Sequence, residues 1–144
     1  MIDKRPEPRR VADCMTPSPV TVGSEDSLQS ASDLLRQRNI RELPVVDHGQ
    51  LVGILTDRDL REIAPSYPIF RSEQEIRGYM ENLKVATAMT VDPMVVRPET
   101  SLVQAAKLLC TYRIGSLPVV EGGKLVGIIS VTDLLKIFIS QNEA

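Results

Sequence analysis

The sequence predicts a mixed α/β (α+β) fold in which two copies of one β-α-β-β-α motif pack with pseudo-two-fold symmetry. The first observation is an internal repeat. Shifting the chain by 74 residues places residues 11–60 on residues 85–134 without a gap, and 24 of these 50 positions are identical. The second is that both copies show the same order of helical and strand-like apolar patterns. Because one such motif buries too little apolar surface to be stable, two copies sharing a core are expected.

Each copy is expected to begin with a strand and a helix. Residues 19–22 and 93–96 are short apolar segments with a proline at the entrance, where a missing N–H donor costs little. Ser24, Glu25 and Asp26 supply capping oxygens and first-turn acids for the helix of the first copy. The apolar positions at helical spacing are Leu28, Ala31, Leu34 and Leu35, and in the second copy Leu102, Ala105, Leu108 and Leu109.

Two further strands and a second helix complete each copy. Residues 43–46 and 51–55 are apolar runs on either side of residues 47–50, which have the composition of a hairpin turn. Residues 121–124 form the corresponding turn in the second copy. A second helix is expected to open at Thr56 in the first copy and at Ser130 in the second.

The repeat also sets the expected domain organisation. Residues 1–10 are interpreted as an N-terminal tail, residues 11–62 as the first motif, residues 63–84 as a linker helix and residues 85–140 as the second motif. Pro65 and Pro68 interrupt the chain before the linker helix, and residues 72–75 form a capping box. An apolar stripe predicts that this helix packs on the module, and its members are Ile76, Tyr79, Met80 and Leu83.

Composition argues against several classes of protein. A net charge of -2 with 3% aromatic residues is unlike a chain that binds nucleic acid. No apolar window is long enough to span a bilayer, and the polar N-terminus does not resemble a signal peptide. Two cysteines, Cys14 and Cys110, supply neither a disulfide framework nor a metal site, so we expect a cytoplasmic protein with reduced, largely buried thiols.

The sequence does not predict an enzyme. Its single histidine, His48, falls in a predicted turn, so a Ser/His/Asp or Cys/His catalytic arrangement has no base outside that turn. No phosphate-binding P-loop and no dinucleotide fingerprint occurs. We therefore expect no catalytic residue, no metal ligand and no catalytic cofactor.

One pattern in each copy points to binding chemistry. An apolar strand ends at Thr56 or Ser130, at the start of a helix, and an acid follows three residues later at Asp59 or Asp133. The free N–H groups and the positive dipole end of a helix start favour an anion. There a hydroxyl can bind a phosphate, while the carboxylate can accept both hydroxyls of a ribose. The same pattern is also typical of a helix N-cap, and the two roles are compatible.

The two copies differ around this pattern. Arg41 and Arg58 favour a phosphate-bearing ligand in the first copy, because arginine makes forked contacts to phosphate, although either side chain could equally be a solvated surface residue. The second copy has Gly115 in place of Arg41, and a glycine beside Ser116 allows a close backbone approach. Two inequivalent sites are expected, of which one can be empty.

The repeated residues resemble the cystathionine β-synthase (CBS) domain family, in the stand-alone bacterial or archaeal tandem form called a Bateman module. The resemblance rests on Met15 and Thr16, on residues 40–47 and on residues 51–60, and each of these recurs in the second copy at the same spacing. It implies two motifs packed face to face with clefts between them. It also implies that these clefts bind adenine nucleotides or related adenosyl compounds as regulatory ligands.

The resemblance and the helix-start chemistry together imply a regulatory, allosteric module. AMP, ADP or ATP is the expected ligand, ahead of S-adenosylmethionine or NAD(H), and the signal would pass to an effector protein, with a homodimer forming through the helices. The alternative is a structural or dimerisation scaffold that binds no ligand. The candidate residues of site 1 are Thr16, Val20, Ile40, Arg41, Glu42, Leu43, Pro44, Thr56, Arg58 and Asp59. Those of site 2 are Thr90, Met94, Ile114, Gly115, Ser116, Leu117, Pro118, Ser130, Thr132 and Asp133.

Overall fold

The computed structural model describes residues 9–63 and 72–143 and divides the chain into two compact units. The first unit is Val20–Pro93, and the second unit combines Met1–Pro19 with Met94–Ala144. The predicted tail at residues 1–8 and the predicted breaks at Pro65 and Pro68 lie outside the described residues. Arg9, at the end of that tail, accepts a backbone hydrogen bond from Leu102 at 2.9 Å and so belongs to the second unit.

The elements follow the same order in both copies, which confirms the mixed α/β class. The first copy contains α1 (Val11–Cys14), β1 (Thr16–Pro17), α2 (Leu28–Arg38), β2 (Glu42–Asp47), β3 (Gln50–Thr56) and α3 (Asp57–Ile63). The linker helix α4 (Glu73–Glu81) follows. The second copy contains α5 (Val85–Ala88), β4 (Thr90–Val91), α6 (Leu102–Tyr112), β5 (Ser116–Glu121), β6 (Lys124–Ser130) and α7 (Val131–Asn142). All the bounds recur 74 residues later except the end of the last helix.

Each unit contains an antiparallel hairpin that is extended by a short strand from the other copy. In the first unit β2 pairs with β3, and β4 pairs with β3 at Gly53 and Ile54. In the second unit β5 pairs with β6, and β1 pairs with β6 at Gly127 and Ile128. The leader segments α1-β1 and α5-β4 are therefore exchanged between the copies.

The hairpin turns have the backbone that the sequence predicts. His48 and Gly49 have φ of 50° and 80°, and Gly122 and Gly123 have φ of 59° and 80°. Two consecutive positive φ values define the type I′ turn, whose twist matches that of the flanking strands. A glycine is present at the second position of both turns because it adopts this backbone without steric cost.

The first strands lie elsewhere than predicted. Residues 19–22 and 93–96 form no strand, and each segment makes a single parallel bridge, from Val22 to Val45 and from Val96 to Val119. Val22 donates its N–H to the carbonyl of Pro44 at 3.1 Å and accepts the N–H of Val46 at 2.8 Å. Pro44 has no N–H of its own, so it cannot extend the ladder.

The predicted start of α2 is also wrong by one turn. The N-cap is Ser27, whose hydroxyl accepts the N–H of Ser30 at 3.0 Å, and Ser101 caps α6 in the same way. Ser24 instead donates both its hydroxyl and its N–H to the carboxylate of Asp47. These bonds lower the pKa of Asp47 and tie the segment before α2 to the end of β2.

Each unit has its own hydrophobic core. In the first unit α4 packs on α2, because Met80 is buried and Ile76 and Leu83 are partly buried against that core, which confirms the predicted packing for these three residues. Tyr79, the fourth residue of the predicted stripe, is 39% exposed, so the prediction is wrong for this side chain. Arg77 of α4 donates to Asp33 of α2 at 2.9 Å and lowers the pKa of the Asp33 carboxyl. Among the largest fully buried core side chains are Leu28, Leu43, Val45, Leu55 and Val85 in the first unit, and Val11, Leu117, Val119 and Ile129 in the second.

The exchanged leaders require glycine where they cross the hairpins. A Cβ on Gly53 would lie 2.8 Å from the carbonyl oxygen of Thr90 and 2.8 Å from Sδ of Met89. We expect Gly53→Ala to lower the free energy of unfolding by about 1–3 kcal/mol, because the backbone of β4 must move away from β3. Urea denaturation measures the change.

Gly78 of α4 is the matched control, since a Cβ there would meet nothing within 4 Å. Gly78→Ala is expected to raise the free energy of unfolding by about 0.5–1 kcal/mol, because alanine is the better helix former. A Gly53→Ala protein as stable as the wild type would contradict the close packing of the leader.

Candidate functional site

The start of α3 is closed by two reciprocal hydrogen bonds. The hydroxyl of Thr56 accepts the N–H of Asp59 at 3.1 Å, and the carboxylate of Asp59 accepts the N–H of Thr56 at 2.9 Å. The N–H of Asp57 donates to the carbonyl of Arg41 at 2.9 Å. The strand end, the helix start and the residue before β2 are thereby held together.

The start of α7 repeats this arrangement. Ser130 accepts the N–H of Asp133 at 3.2 Å, while Asp133 accepts both the N–H of Ser130 at 2.8 Å and its hydroxyl at 3.0 Å. The N–H of Val131 donates to the carbonyl of Gly115 at 3.0 Å. Both predicted hydroxyl–acid pairs are therefore helix caps.

Capping changes the chemistry expected at these helix starts. The first amides of α3 and α7 already donate to the carbonyls of Arg41 and Gly115, and the third amides donate to the hydroxyls of Thr56 and Ser130. The expectation that these N–H groups are free to bind an anion is therefore wrong. The acids keep their capacity, because a carboxylate has about four lone-pair sites and capping uses one or two of them. Asp59 and Asp133 are half-buried, and each can accept further hydroxyl groups.

The first unit holds nine of the ten site 1 candidates. Thr16 is the exception, since it lies on β1 in the second unit, opposite Ile128. Leu43 and Pro44 are fully buried, and the carbonyl of Pro44 already accepts the N–H of Val22. Val20 and Ile40 are partly buried against the first core.

The two arginines of site 1 lie in different surroundings. Arg58 is exposed and lies 3.5 Å from Glu62 as an ion pair. Arg41 lines a groove of about 540 Å³ on α2, α3 and α4, which neither Thr56 nor Asp59 lines. Among the residues of this groove that the sequence analysis missed are Arg36, Asn39, Arg61, Ile76 and Met80. They come from three separate helices and the C-cap of α2, and no local pattern connects them.

Glu42 is a site 1 candidate whose carboxyl has a raised pKa. It is half-buried at the start of β2, opposite Thr56 in the register. Burial raises the pKa of its carboxyl, and the negative charge of Asp57 raises it further, while Arg41 opposes the shift. The start of α3 is therefore surrounded by three acids, Glu42, Asp57 and Asp59.

The second unit holds nine of the ten site 2 candidates. Thr90 lies on β4 in the first unit, opposite Ile54. Leu117 and Pro118 are fully buried, as their counterparts are in the first unit. Met94 and Ile114 pack partly buried against the second core, whereas Gly115 and Thr132 are exposed.

Ser116 is the unusual member of site 2. Its side chain is 5% exposed and lies opposite Ser130, at the position that Glu42 has in the first copy. In the part of the chain that the structure describes, its hydroxyl has no hydrogen-bond partner. A buried hydroxyl without a partner costs about 1–3 kcal/mol, so Ser116 carries an unmet hydrogen-bonding capacity.

Residues 9–63 and 72–143 contain no group of three or more His, Cys, Asp and Glu side chains that could hold a metal ion. Within the same ranges, no helix has the length and apolar character needed to cross a membrane. Cys14 is partly buried, but Cys110 is exposed on α6, so the expectation of two largely buried thiols is wrong for Cys110.

The raised pKa of Glu42 predicts a pH-dependent stability. A carboxyl whose pKa is higher in the folded state stabilises the fold below its unfolded pKa, near 4.5, and loses that contribution as pH rises through the folded value. Glu42→Gln should therefore be more stable than the wild type at pH 7, and the difference should vanish near pH 4. Urea denaturation at the two pH values tests this.

Glu62→Gln provides the control, because it removes an exposed carboxylate of α3 in place of the half-buried one of β2. If Glu42→Gln differed from the wild type by the same free energy of unfolding at both pH values, the raised pKa of the Glu42 carboxyl would be contradicted.

Comparison with known proteins identifies the repeated motif. The family model of the CBS domain matches the chain twice, over residues 11–66 and 85–140. A CBS domain-containing protein of Dictyostelium discoideum is 37% identical over 134 residues, which cover 90% of this chain and 90% of that protein. Inosine-5′-monophosphate dehydrogenase of Korarchaeum cryptofilum is 36% identical over 118 residues, which cover 80% of this chain but 21% of the enzyme. The likeness to that enzyme is thus confined to its CBS part.

Solved structures agree with the sequence comparison. CBSX2 in complex with AMP is 32% identical with a TM-score of 0.77, and the match covers 93% of this chain and 98% of CBSX2. The CBS domain pair of protein MJ0100, in complex with 5′-methylthioadenosine and S-adenosyl-L-methionine, is 26% identical with a TM-score of 0.77 and covers 94% and 99%. The chain belongs to the CBS domain family and carries a tandem pair of these domains.

Proposed function

We propose that this chain is a regulatory module that binds AMP or a related adenosyl compound at the starts of α3 and α7 and passes the signal to a partner protein. CBSX2 in complex with AMP, and MJ0100 in complex with 5′-methylthioadenosine and S-adenosyl-L-methionine, support the ligand class, because each matches more than nine-tenths of this chain. A homodimer, a cytoplasmic location and the lack of catalysis by the chain itself belong to the same proposal.

Asp59 and Asp133 would hold the ribose. Each carboxylate is fixed by its capping bond and retains lone pairs for the two ribose hydroxyls. A bond from a hydroxyl to a charged carboxylate contributes about 1.5–3 kcal/mol, so a single acid supplies much of the affinity of a micromolar ligand. Partly buried Val20 and Met94 would offer apolar contact to the purine.

Ser116 is the observation that favours ligand binding most. Its buried hydroxyl has no partner among the described residues, although it lies beside the capped start of α7. A fold that only needed a scaffold at this position could place alanine there and avoid the cost of an unpaired hydroxyl. A ligand atom that bonds the hydroxyl would recover this cost.

The two helix starts differ in charge. At α3 the acids Glu42, Asp57 and Asp59 lie with Arg41, Arg58 and Arg61, and Arg61 pairs with Asp57. The corresponding residues at α7 are Ser116, Val131, Asp133, Gly115, Thr132 and Leu135, so Asp133 is the one charged side chain of that set. Because the unpaired hydroxyl of Ser116 lies at α7, we assign AMP to the second site first.

Regulation requires that the ligand favours one conformation over another. A ligand shifts a conformational equilibrium only by its difference in affinity for the two states, typically by about 1–3 kcal/mol. The start of α7 joins β6 to the longest of the helices in residues 9–63 and 72–143. A ligand at this junction could therefore alter the surface that α7 presents to a partner.

A structural scaffold without a ligand is the second candidate. One observation favours it: both helix starts are capped by their own side chains and need no ligand to satisfy their first and third amides. Thermal denaturation with AMP, ADP, ATP, S-adenosylmethionine and NADH separates the two candidates. A ligand at 100 times its dissociation constant adds about 2.7 kcal/mol of stability, whereas a scaffold shows no shift with any of the five.

Ser116→Ala tests the ligand-binding role of the hydroxyl. Without ligand, the variant should be as stable as the wild type or more stable, because a buried unpaired hydroxyl is removed. With AMP, its affinity should fall by roughly three- to tenfold, the loss of one neutral hydrogen bond. Thermal denaturation at a series of AMP concentrations measures both effects.

Ser101→Ala is the matched control. Ser101 caps α6 away from the candidate site, so this variant should lose about 1 kcal/mol of stability without ligand and keep the full affinity for AMP. An unchanged AMP affinity in Ser116→Ala would refute the proposed contact.

A further inference from the structure

The groove on α2, α3 and α4 is basic, although the chain as a whole is acidic. Its volume is about 540 Å³, and its charged lining residues are Arg36, Arg41, Asp57 and Arg61. Three arginines against one aspartate give the lining a net charge of +2, while the whole chain carries -2. We call this surface the basic groove. A cleft whose charges are mostly of one sign attracts ligands of the opposite sign.

Two of the three arginines have no acidic partner. Arg61 pairs with Asp57 at 3.1 Å. Arg36 and Arg41 are exposed, and neither takes part in an ion pair with any residue in 9–63 and 72–143. Arg36 lies in the last turn of α2, where the helix dipole favours a cation, but Arg41 lies beyond that helix. The stability of α2 therefore does not explain why these charges line one groove.

The repeat shows that the motif folds without these charges. In the second copy the three arginines of the groove are replaced by uncharged residues, which are Cys110, Gly115 and Leu135. The corresponding set there contains a single cation, Arg113, in place of Asn39. A cluster of cations that only one copy carries has a function beyond folding of the motif.

The groove has the length and lining of a helix-binding site. Its lining extends from Gln29 to Asn39 on α2, which is about 15 Å at the rise of a helix and accommodates about ten residues of a second helix. The apolar lining residues are Leu35, Ile40, Leu60, Ile76 and Met80. An amphipathic helix places its apolar side chains in such a groove and its polar side chains at the rim.

The charges favour an acidic protein segment over other anions. The arginines come from α2, from the segment before β2 and from α3, so a ligand with several acids along its length matches them better than one phosphate does. Among the described residues, no aromatic side chain lines the groove, so the bases of a nucleic acid would find no stacking surface. The occupant that fits is an amphipathic helix that carries glutamate or aspartate beside its apolar face.

The basic groove adjoins the first candidate site. Arg41 and Asp57 both line the groove, and the N–H of Asp57 donates to the carbonyl of Arg41 at 2.9 Å. Asp57 directly follows Thr56, whose hydroxyl caps α3. A ligand that moves the start of α3 would therefore displace two residues of the groove.

We infer that the basic groove is the docking site of the effector protein, which inserts an acidic amphipathic helix between α2, α3 and α4. The inference rests on the proposed function in one respect, that the signal passes to a partner protein, and it names the surface and the chemistry of that partner. It does not depend on which ligand the module binds.

Two model peptides of about 14 residues, or four helical turns, test the groove. Both carry leucine at helical spacing on one face, and they differ only in having glutamate or lysine at the same polar positions. In amide NMR spectra of the full chain, the acidic peptide should shift the amides of Arg36, Asn39, Arg41 and Arg61 with a dissociation constant below about 1 mM. The basic peptide should bind at least about tenfold more weakly.

The double variant Arg36→Glu/Arg61→Glu should reverse this preference, because the groove then carries more acids than arginines. Both side chains are exposed, so the fold should be kept. The control Arg38→Glu/Lys107→Glu changes the net charge of the chain equally, at exposed positions that do not line the groove, and should keep the preference of the wild type.

A milder variant covers the case in which the two added glutamates prevent folding. Arg36→Gln/Arg61→Gln removes the same two charges and places no acid beside Asp57. It should weaken binding of the acidic peptide by roughly two- to thirtyfold, the loss of two exposed charge pairs.

Four results would overturn the inference. They are an acidic peptide that shifts no groove amide at about 1 mM, a folded Arg36→Glu/Arg61→Glu variant with the wild-type preference, a control variant that loses the preference, and a short oligothymidine strand that binds the groove more tightly than the acidic peptide. The last result would assign the groove to nucleic acid.

AMP titrated in the same spectra separates this inference from the ligand proposal. If the acidic peptide binds and AMP shifts no amide, the ligand proposal fails and the docking site stands. If AMP binds and the acidic peptide does not, the docking site fails and the ligand proposal stands.

Discussion

The close approach of an exchanged leader to a hairpin is the constraint on which both units depend. Each copy begins with a short helix and strand that complete the sheet of the other copy, over Gly53 in one unit and Gly127 in the other. The backbone of the leader passes so close that a Cβ on Gly53 would overlap the carbonyl of Thr90. The short strand of each copy pairs with the hairpin of the other copy, so each unit contains residues from both copies. The duplication is therefore a structural requirement.

The helix starts combine stability with chemistry. Two of the four side chains that cap α3 and α7, Asp59 and Asp133, are those proposed to bind a ribose, and the capping bonds hold these acids in place before a ligand arrives. This preorganisation lowers the entropy lost on binding. The copies then differ in charge, with three acids and three arginines at the first start and a single acid at the second, so a duplicated backbone can present two sites of different selectivity.

Features that depend on local sequence patterns could be predicted from the sequence. Features that depend on contacts between residues far apart in the chain could not. The repeat, the hairpin turns at Gly49 and Gly123, the opening of the second helices at Thr56 and Ser130, and the packing of the linker helix through Met80 all follow from spacing and residue type. The strands at Thr16 and Thr90 were missed because two-residue strands have no periodicity. Their exchange, the burial of Ser116 and the groove at Arg36 are set by residues far apart in the chain.

Isothermal titration of AMP into the wild type, Asp59→Ala, Asp133→Ala and the double variant tests the central claim most directly. We expect Asp133→Ala to remove the tighter binding event, Asp59→Ala to remove a weaker one, and the double variant to release no binding heat, while each lost cap costs only about 1 kcal/mol of stability. A folded double variant that binds AMP with the stoichiometry and affinity of the wild type would contradict the assignment of the ligand to these two acids.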